Sequence, residues 1–230
     1  MFLSGNLSLL LLSIVLSFIT NATAFVPSVH SQTLSPLRLS TAEERHESIS
    51  TFVTEEELND YAKNVGVTLS LTTLGPGYRA VARALHDEQQ ILGYCEGFIR
   101  PSGKILHVDK LEVWKKAIDK AKNENPQGFQ NGGQVFGISL LLGYKAMMFG
   151  KEKRCEMAEF LAIDDEAFQH KRLVRFFQRA GFRKIRYVGD DLASVPDRLV
   201  WGGCGTLMNR PVEELLQIWS KILMKGNPSS

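Results

Sequence analysis

Four β-type segments follow one another between Val67 and Trp114, and this run of short strands constrains the fold more than any other feature. The turns between them are only three to five residues long, and Gly75-Pro76-Gly77 is one of them. Such turns join antiparallel strands, because a parallel connection needs a crossover of a dozen or more residues. The predicted meander consists of Val67–Leu74, Tyr78–Leu85, Ile91–Arg100 and Lys104–Trp114.

Helices and strands alternate after the meander, and a capped helix precedes it. Thr54 and Glu57 form a capping-box pattern for the first helix, which is predicted over Glu55–Val65. The later predicted elements are a helix Ile138–Phe149, a strand Cys155–Ile163, a helix from its cap Asp165 to Ala180, strands Arg183–Gly189 and Leu199–Met208, and a helix from Pro211. This order predicts an α/β (α+β) fold with a mixed, mostly antiparallel, twisted sheet and helices on both faces.

The N-terminal segment has the features of a targeting leader. A mostly apolar run from Leu7 to Ile19 ends at the small-x-small site Ala22-Thr23-Ala24, which predicts a signal peptide over 1–24, with a short membrane anchor as the alternative. Phe25 would then begin a Ser-rich stretch with no acid before Glu43. The whole resembles the bipartite plastid leader of algae such as diatoms, and implies delivery to the plastid stroma, with secretion as the alternative. Residues 25–50 are predicted to be a disordered transit-like segment, and residues 51–225 the folded domain.

Composition argues against several classes of function. The formal net charge is +2 at pH 7 and no Lys/Arg-rich block is present, so nucleic-acid binding is not expected. The three cysteines have neither a CxxC nor a zinc-ligand spacing, so no metal is expected. The most apolar predicted helix of the domain is too short to cross a bilayer, so we expect no integral membrane protein once the leader is removed.

Chemistry is suggested by Gly132–Gly150, in which a glycine-rich loop opens directly into an apolar helix. The first N–H groups of such a helix lack intrahelical acceptors and its dipole favours anions, so a phosphate is a suitable ligand. Gly137 would let the backbone approach a phosphate without a Cβ in the way. Taken alone, the pattern equally fits a turn before a core helix.

The segment Gln134-Val135-Phe136-Gly137-Ile138-Ser139 resembles the Q/R-x-x-G-x-G/A pyrophosphate loop of the GNAT family of N-acetyltransferases, with Ser139 in place of Gly or Ala. The resemblance continues through the strand Met157–Asp164 and the Gly181-Phe182 pair after the next helix, and it covers about Leu92 to Met208. Within the family, the chain looks most like the plant and algal plastid branch.

The resemblance implies direct transfer of an acetyl group from acetyl-CoA to an amine, in a cleft where two parallel strands splay apart. Acetyl-CoA would contact the six residues of the loop and the backbone from Leu111 to Val113, which would polarise the carbonyl. The family's Asn near the start of the following helix aligns with His170. Its Tyr, which assists the departing thiolate, aligns with Phe177, so that hydroxyl is missing.

A carboxylate on the strand before the loop is a frequent base in the family, and Glu112 is the first candidate. Simple alternation predicts two sets of side chains on opposite faces of this strand, Glu112 with Lys110 and Val108, and Leu111 with Asp109 and His107. Glu159 and His107 are weaker candidates. A salt-bridged or buried structural role is the alternative for all three.

Two functions therefore remain open at the level of sequence. One is a plastid N-acetyltransferase acting on a protein N-terminus, a lysine or a small-molecule amine. The other is a non-catalytic module of the same fold that binds CoA or a protein partner. The intact loop from Gln134 to Gly137 favours the first, whereas Phe177, Ser139 and the insertion of about 20 residues before the loop favour the second.

Overall fold

The computed structural model describes residues 52–129 and 135–225, and the predicted leader lies outside these residues. Within them the chain forms six α-helices and seven β-strands. The helices are α1 (Glu55–Asn64), α2 (Lys115–Glu124), α3 (Val135–Glu152), α4 (Ala167–Arg179), α5 (Val195–Trp201) and α6 (Val212–Lys225). The strands are β1 (Val67–Leu74), β2 (Gly77–Ala84), β3 (Asp87–Ile99), β4 (Ile105–Val113), β5 (Met157–Ile163), β6 (Arg183–Val188) and β7 (Gly205–Pro211).

Helix α1 begins as the sequence predicts. Thr54 Oγ1 accepts a hydrogen bond from the Glu57 N–H at 3.2 Å, and the Glu57 carboxylate accepts one from the Thr54 N–H at 2.7 Å. This capping box satisfies two N–H groups at the start of the helix. Just past the helix end, Gly66 has a φ of +77°, and a Cβ there would meet the carbonyl oxygen of Gly128 at 2.4 Å. Glycine is therefore required at this turn.

All seven strands belong to one sheet with the order β1-β2-β3-β4-β5-β7-β6. The meander β1 to β4 pairs antiparallel throughout, and β7 pairs antiparallel with both β5 and β6. Within the described residues β4 and β5 form the one parallel pair, because α2 and α3 carry the chain back between them. The predicted fold class, a mixed and mostly antiparallel sheet with helices on both faces, is confirmed.

Helix α3 covers one face of the sheet and forms the centre of the core. Its side chains Leu141, Leu142 and Met147 are almost fully buried. A Cβ at Gly150 would lie 2.9 Å from the Leu106 side chain, so glycine lets α3 approach β4 closely. Helix α6 packs on the same core through buried side chains that include Leu215, Leu216 and Trp219.

The opposite face carries a smaller apolar cluster, made of Leu161, Val188, Trp201 and Leu207. Trp201 ends α5, which lies in the connection between β6 and β7. Helix α5 is therefore packed against the face that α3 leaves open. No helix in the described part of the chain is both long and apolar enough to cross a membrane.

The predicted strand Leu199–Met208 is wrong in its first half. Leu199 to Trp201 are helical, and β7 starts only at Gly205. Helix α5 has Pro196 in its first turn, where proline is tolerated, and it ends at Gly202, whose φ of +72° is left-handed. A short apolar run fits a buried strand and a buried helix equally, so the pattern alone could not separate them.

Other boundaries also differ from the prediction by a few residues, among them the start of β3, which is Asp87 rather than Ile91. Helix α3 begins at Val135 rather than Ile138, so the predicted phosphate loop falls within its first turn. Glu166 rather than Asp165 is the N-cap residue of α4, and it makes no side-chain cap bond. Pro211 ends β7 instead of starting α6, because it pairs with Met157 on β5.

Candidate active site

The parallel pairing between β4 and β5 covers only the first part of each strand. It ends at Val108 on β4 and Phe160 on β5. Strand β4 nevertheless continues to Val113, and β5 to Ile163. The two strands therefore diverge, and their C-terminal ends do not pair with each other. We call the V-shaped gap between these two ends the cleft.

A β-bulge lies where the two strands diverge. Glu96 on β3 pairs with Lys110, and the next residue, Gly97, pairs with Val108, so Asp109 has no opposite residue. A bulge bends its strand and increases the local twist. The bulge at Asp109 therefore accounts for the turn of β4 away from β5 directly after their last pair.

The bulge also changes which side chains share a face, and the alternation predicted for β4 is wrong for this reason. Val108 and Leu111 both face α3, where they line the same cavity. His107, next to Val108, points to the opposite face. One extra residue reverses the alternation. Glu112, next to Leu111, thus shares a face with His107 and not with Val108.

The unpaired end of β4 keeps a strand partner on one edge only. From Lys110 to Val113 every residue pairs with β3, and none pairs with β5. Alternate residues of a strand turn their N–H and C=O groups to opposite edges. The backbone N–H and C=O groups of β4 that face the cleft therefore have no neighbouring strand to bond to, over a length of roughly 13 Å. An extended ligand arm that contains amides could make the hydrogen bonds that β5 does not make.

An apolar cavity of about 60 Å³ adjoins the cleft on the α3 face of the sheet. Side chains from β4, β5, α3, α4 and α6 enclose it, among them Val108, Leu111, Met147, Phe160, Phe177 and Ile222. Such a lining offers few hydrogen-bond partners to water and suits an apolar group. The cleft therefore combines polar backbone edges with an apolar wall.

The residues predicted to bind a pyrophosphate divide into three groups. Gln134 lies outside the described residues, and the backbone of Val135 begins α3. Phe136 is 42% exposed, and a Cβ at Gly137 would meet nothing within 4 Å. Ile138 and Ser139 are buried, and Ser139 lines the apolar cavity. Open space thus lies beside the first turn of α3, where helix N–H groups favour an anion.

Phe177 and His170 project from the same helix, α4, and have different surroundings. The Phe177 ring is buried, with its centroid 3.8 Å from that of Phe160, and it lines the cavity. His170 lies two turns nearer the start of α4, where its Nε2 is 2.9 Å from Thr206 Oγ1 and its Nδ1 is 3.4 Å from an oxygen of Asp164. The structure therefore puts an apolar ring beside the last paired residues and a polar group towards the open end of the cleft.

Glu112 lies in the part of β4 that extends beyond its pairing with β5, on the face away from α3. Its side chain is 7% exposed, and an oxygen lies 3.1 Å from Nζ of Lys110. The Lys110 ammonium is 5.7 Å from the centre of the Tyr94 ring. The Tyr94 hydroxyl, and secondarily Glu112, raise the pKa of Lys110. Glu112 is thus a shielded carboxylate with one cationic neighbour, a setting that a base can use.

The two weaker candidates, His107 and Glu159, lie directly opposite each other at the base of the cleft. His107 is fully buried and stacked between Phe98 and Trp201, with ring centroids 4.3 Å and 3.8 Å away. Burial, and next the charge of Arg100, lower the pKa of His107 to about 4, so its ring is neutral at pH 7. The structure brings these two residues together and leaves Glu112 further along the cleft.

Sequence reasoning missed Arg100 and Trp201, which complete this group. Arg100 follows β3 and reaches Glu159, with Nη2 to Oε2 at 3.1 Å. Trp201 was assigned to a strand and its contact with β4 could not be foreseen. No local signal marks either residue, because Arg100 and Glu159 are 59 positions apart in the chain and His107 and Trp201 are 94 positions apart. The described residues contain no group of three or more His, Cys, Asp or Glu side chains that could hold a metal ion.

Comparison with known proteins gives structural likeness alone. No protein-family profile and no curated protein matches the sequence. Among solved structures, a GNAT-family acetyltransferase from Staphylococcus aureus Mu50 is 20% identical with a TM-score of 0.39, over 68% of this chain and 75% of that one. Nourseothricin acetyltransferase is 12% identical with a TM-score of 0.39, over 66% and 92% of the two chains. Tetrahymena GCN5 is 17% identical with a TM-score of 0.35, over 60% and 69%. At TM-scores below 0.5 these similarities carry no inference about the activity of this chain.

Proposed function

We propose that this chain is a GNAT-type N-acetyltransferase, which transfers an acetyl group from acetyl-CoA to an amine in a ternary complex. The cleft between β4 and β5 is the observation that carries the proposal. It presents unpaired backbone groups over the length of an extended arm, beside an apolar cavity. The pantetheine arm of acetyl-CoA has this shape and this chemistry, with two amides and a short apolar end.

The cofactor would lie along three elements of the cleft. Its pyrophosphate would bind at the start of α3, where Gly137 leaves room for a ligand and Gln134 to Ser139 resemble the family loop. Its amides would bond to the backbone from Leu111 to Val113, and one of these N–H groups would polarise the thioester carbonyl. His170 would contact the arm from α4, and Phe177 would pack against its end. No step in this scheme requires a metal ligand.

The amine would approach from the face that carries Glu112. Its nitrogen forms a bond to the carbonyl carbon while the C–S bond breaks, which leaves an amide and the CoA thiolate. Glu112 would take the proton that the attacking nitrogen loses. A positioned carboxylate of this kind contributes a factor of about 10²–10⁴ to a rate.

No acid that could protonate the departing thiolate lies at the position of the family's Tyr, because Phe177 carries no hydroxyl. A thiol has an ordinary pKa of about 8.5, so a thiolate leaves without full protonation. We therefore expect turnover to be slower than with an acid present but not absent.

The second candidate is a non-catalytic module of the same fold that binds CoA or a protein partner. Phe177 favours it, since the apolar wall around its ring supplies no proton donor. The ion pair between Glu112 and Lys110 also fits a structural role. The two candidates differ in turnover. A transferase should acetylate an amine and lose this activity when Glu112 is replaced, whereas a non-catalytic module should show no turnover.

We also propose delivery to the plastid. The proposal is supported by the signal-like residues 1–24 and by Phe25 at the predicted new N-terminus. Residues 1–50 fused to a fluorescent protein should direct it into the plastid of an alga with secondary plastids. A Phe25→Ala fusion should stop in the secretory pathway, and plastid import of both fusions would contradict a role for Phe25.

Binding of acetyl-CoA tests the cofactor site directly. We expect the full chain to bind acetyl-CoA in a calorimetric titration, and a Gly137→Trp variant to lose this binding. The indole would fill the space beside the first turn of α3, and because a Cβ there meets no atom within 4 Å, the fold should tolerate it. Thermal unfolding of the variant checks that tolerance.

A Glu152→Trp variant is the matched control, since it puts the same side chain at an exposed position at the other end of α3. It should bind acetyl-CoA like the unmodified chain. Equal binding by all three chains would place the cofactor elsewhere. No binding by the unmodified chain would remove the acetyltransferase proposal.

A further inference from the structure

Six buried polar atoms on the face opposite α3 have no hydrogen-bond partner within the residues that the structure describes. They are Nε and Nη2 of Arg100, both ring nitrogens of His107, Oε2 of Glu159 and Nε1 of Trp201. The side chains touch one another: Trp201 stacks on His107 at 3.8 Å, and the Arg100 guanidinium lies 5.3 Å from the Trp201 ring centre. Arg100 and Glu159 form an ion pair at 3.1 Å without hydrogen-bond geometry, and an oxygen of Asp109 lies 3.7 Å from Nε2 of His107. We call Arg100, His107, Glu159 and Trp201 the polar cluster.

Such a concentration of unpaired atoms needs a physical explanation. Buried polar groups are nearly always hydrogen-bonded, because a buried donor or acceptor without a partner loses its bonds to water and gains none in return. On the α3 face, by contrast, the buried Tyr144 hydroxyl lies 3.0 Å from the Val53 carbonyl, and Trp219 donates to the Ala180 carbonyl at 2.8 Å. The polar cluster concentrates six unpaired atoms in four side chains that touch one another, whereas elsewhere in the described residues such atoms occur singly, as at Gln90 Oε1 and Arg210 Nε. Such a concentration is the expected signature of a ligand site.

The types of the unpaired atoms indicate the ligand. Arg100 offers Nε–H and Nη2–H along one edge of its guanidinium, a fork that matches the two oxygens of a carboxylate. Trp201 adds an N–H donor, and the neutral His107 ring adds one donor and one acceptor. The remaining acceptor is Glu159. Unpaired donors thus outnumber unpaired acceptors, so a ligand that brings acceptor oxygens fits the cluster.

We propose that the polar cluster is the acceptor-binding pocket and that the acceptor carries a carboxylate, which binds to Arg100 and Trp201 while its amine reaches the cleft. This assignment rests on the proposed function. The assignment adds a substrate class to that function, namely a primary amine with a carboxylate on the same molecule.

The length of β4 sets the spacing between the two groups. His107 lies at the base of the cleft, and the candidate carbonyl-binding backbone begins four residues later at Leu111. Four residues, one of them in the bulge, extend over roughly 10–13 Å. Subtracting a hydrogen bond of about 3 Å at each end leaves roughly 4–7 Å between carboxylate and amine. An amine three to six bonds from the carboxylate spans this distance.

Access to the pocket requires movement of α5, since all six unpaired atoms are shielded from solvent. The helix is short, and it is followed by Gly202 in a left-handed conformation and by Gly203. Its outer side is exposed, with Leu199 82% accessible. Trp201 therefore acts as a cover that closes over the carboxylate and donates its indole N–H to it.

Matched amines test the proposal with the full chain and acetyl-CoA. We expect kcat/KM for 4-aminobutyrate and 6-aminohexanoate to exceed that for butylamine and hexylamine by about tenfold to a hundredfold, the range for hydrogen bonds to a charged group. Each pair differs only by a carboxylate in place of a methyl group. A tripeptide amide that begins with Asp, compared with one that begins with Asn, separates a peptide source of the carboxylate from a free amino acid.

Variants connect the preference to the cluster. Arg100→Lys keeps the charge but loses the fork, and should remove most of the preference for the acid, measured as the ratio of kcat/KM for the acid to kcat/KM for the matched alkylamine. Trp201→Phe keeps the stacking on His107, loses the N–H, and should reduce the preference by less. Arg183→Lys, at a side chain that is 66% exposed, is the control and should change neither rate.

Direct binding distinguishes this inference from the proposed function. Calorimetric titration of 6-aminohexanoate without acetyl-CoA should show binding that Arg100→Lys abolishes. If this binding is found and no amine is acetylated, the pocket stands and the transferase proposal fails. If amines are acetylated with no advantage for the acids, the pocket assignment fails and the transferase proposal stands. Absence of both binding and preference overturns the inference.

Discussion

The two faces of the sheet meet at the cleft and are built in opposite ways. On the α3 face, Val108, Leu111 and Phe160 line an apolar cavity, and the Tyr144 hydroxyl and the Trp219 N–H are hydrogen-bonded. On the α5 face, His107 and Glu159 lie among buried polar atoms that are not paired. The first face resembles an ordinary hydrophobic core with space for the end of a ligand, whereas the second keeps hydrogen-bonding capacity for a partner.

The difference follows from the bulge in β4 and from the connection that carries α5. The bulge puts Val108 and Leu111 on one face and leaves His107 and Glu112 on the other. Trp201 then shields that second face from water without pairing its polar groups. The α3 face thus contributes apolar packing to stability, and the α5 face carries the polar side chains that could take part in chemistry.

The largest expected effect is a loss of catalytic rate on replacement of Glu112, which lies on the α5 face of the sheet. Glu112→Gln keeps the shape of the side chain and removes its ability to take a proton, so kcat/KM should fall by about 10²–10⁴. Acetyl-CoA binding, measured by calorimetry, should be unchanged because the carboxylate faces away from α3. Glu96→Gln, which affects a neighbouring ion pair with Arg79, is the control. Turnover that survives in Glu112→Gln would exclude this residue as the base.

The next effect compares stability across the two faces. Phe160→Ala should lower the free energy of unfolding by about 3–5 kcal/mol, because it enlarges a cavity in a packed apolar site. Trp201→Ala removes a larger side chain but should cost less, since water can then reach the unpaired atoms beneath it. Chemical denaturation measures both. Leu199→Ala, at an exposed position of α5, should stay within about 0.5 kcal/mol of the unmodified chain. A loss for Trp201→Ala equal to that for Phe160→Ala would show that the two faces do not differ.

The smallest effect is a pH dependence that originates at His107. Its pKa in the folded chain, about 4, lies below the ordinary value of 6.5, so the unfolded chain binds more protons between these two values. The stability that this group contributes is complete above pH 6.5 and is lost as the pH falls towards 4, by roughly 2–3 kcal/mol. His107→Phe can keep the stacking and should lose that part of the pH dependence. Parallel stability curves for the two chains between pH 4 and 6.5 would contradict this.

Local patterns predicted most of the fold. The capping box at Thr54, the short turns of the meander and the apolar runs of the later strands each act within a few residues, so they can be read from neighbouring letters. The fold class and nearly all elements followed from them. Leu199 to Trp201 were the exception, because a three-residue apolar run does not distinguish a helix from a strand.

The candidate site was predicted less completely. Gly137, Phe177 and His170 could be selected by their position relative to recognisable motifs, and their roles in binding remain predictions. The faces of β4 were predicted wrongly, since strict alternation has no place for a bulge and the extra residue at Asp109 leaves no mark in the pattern.

By itself, the sequence determined the order of most helices and strands and the antiparallel meander, because these depend on periodicity and on the conformations of single residues. Only the tertiary structure decided where β4 leaves β5, which side chains share a face beyond Asp109, and that Trp201 covers His107. Those features arise from pairings between distant segments, and the free energy that selects them is a property of the packed sheet rather than of any one stretch of chain.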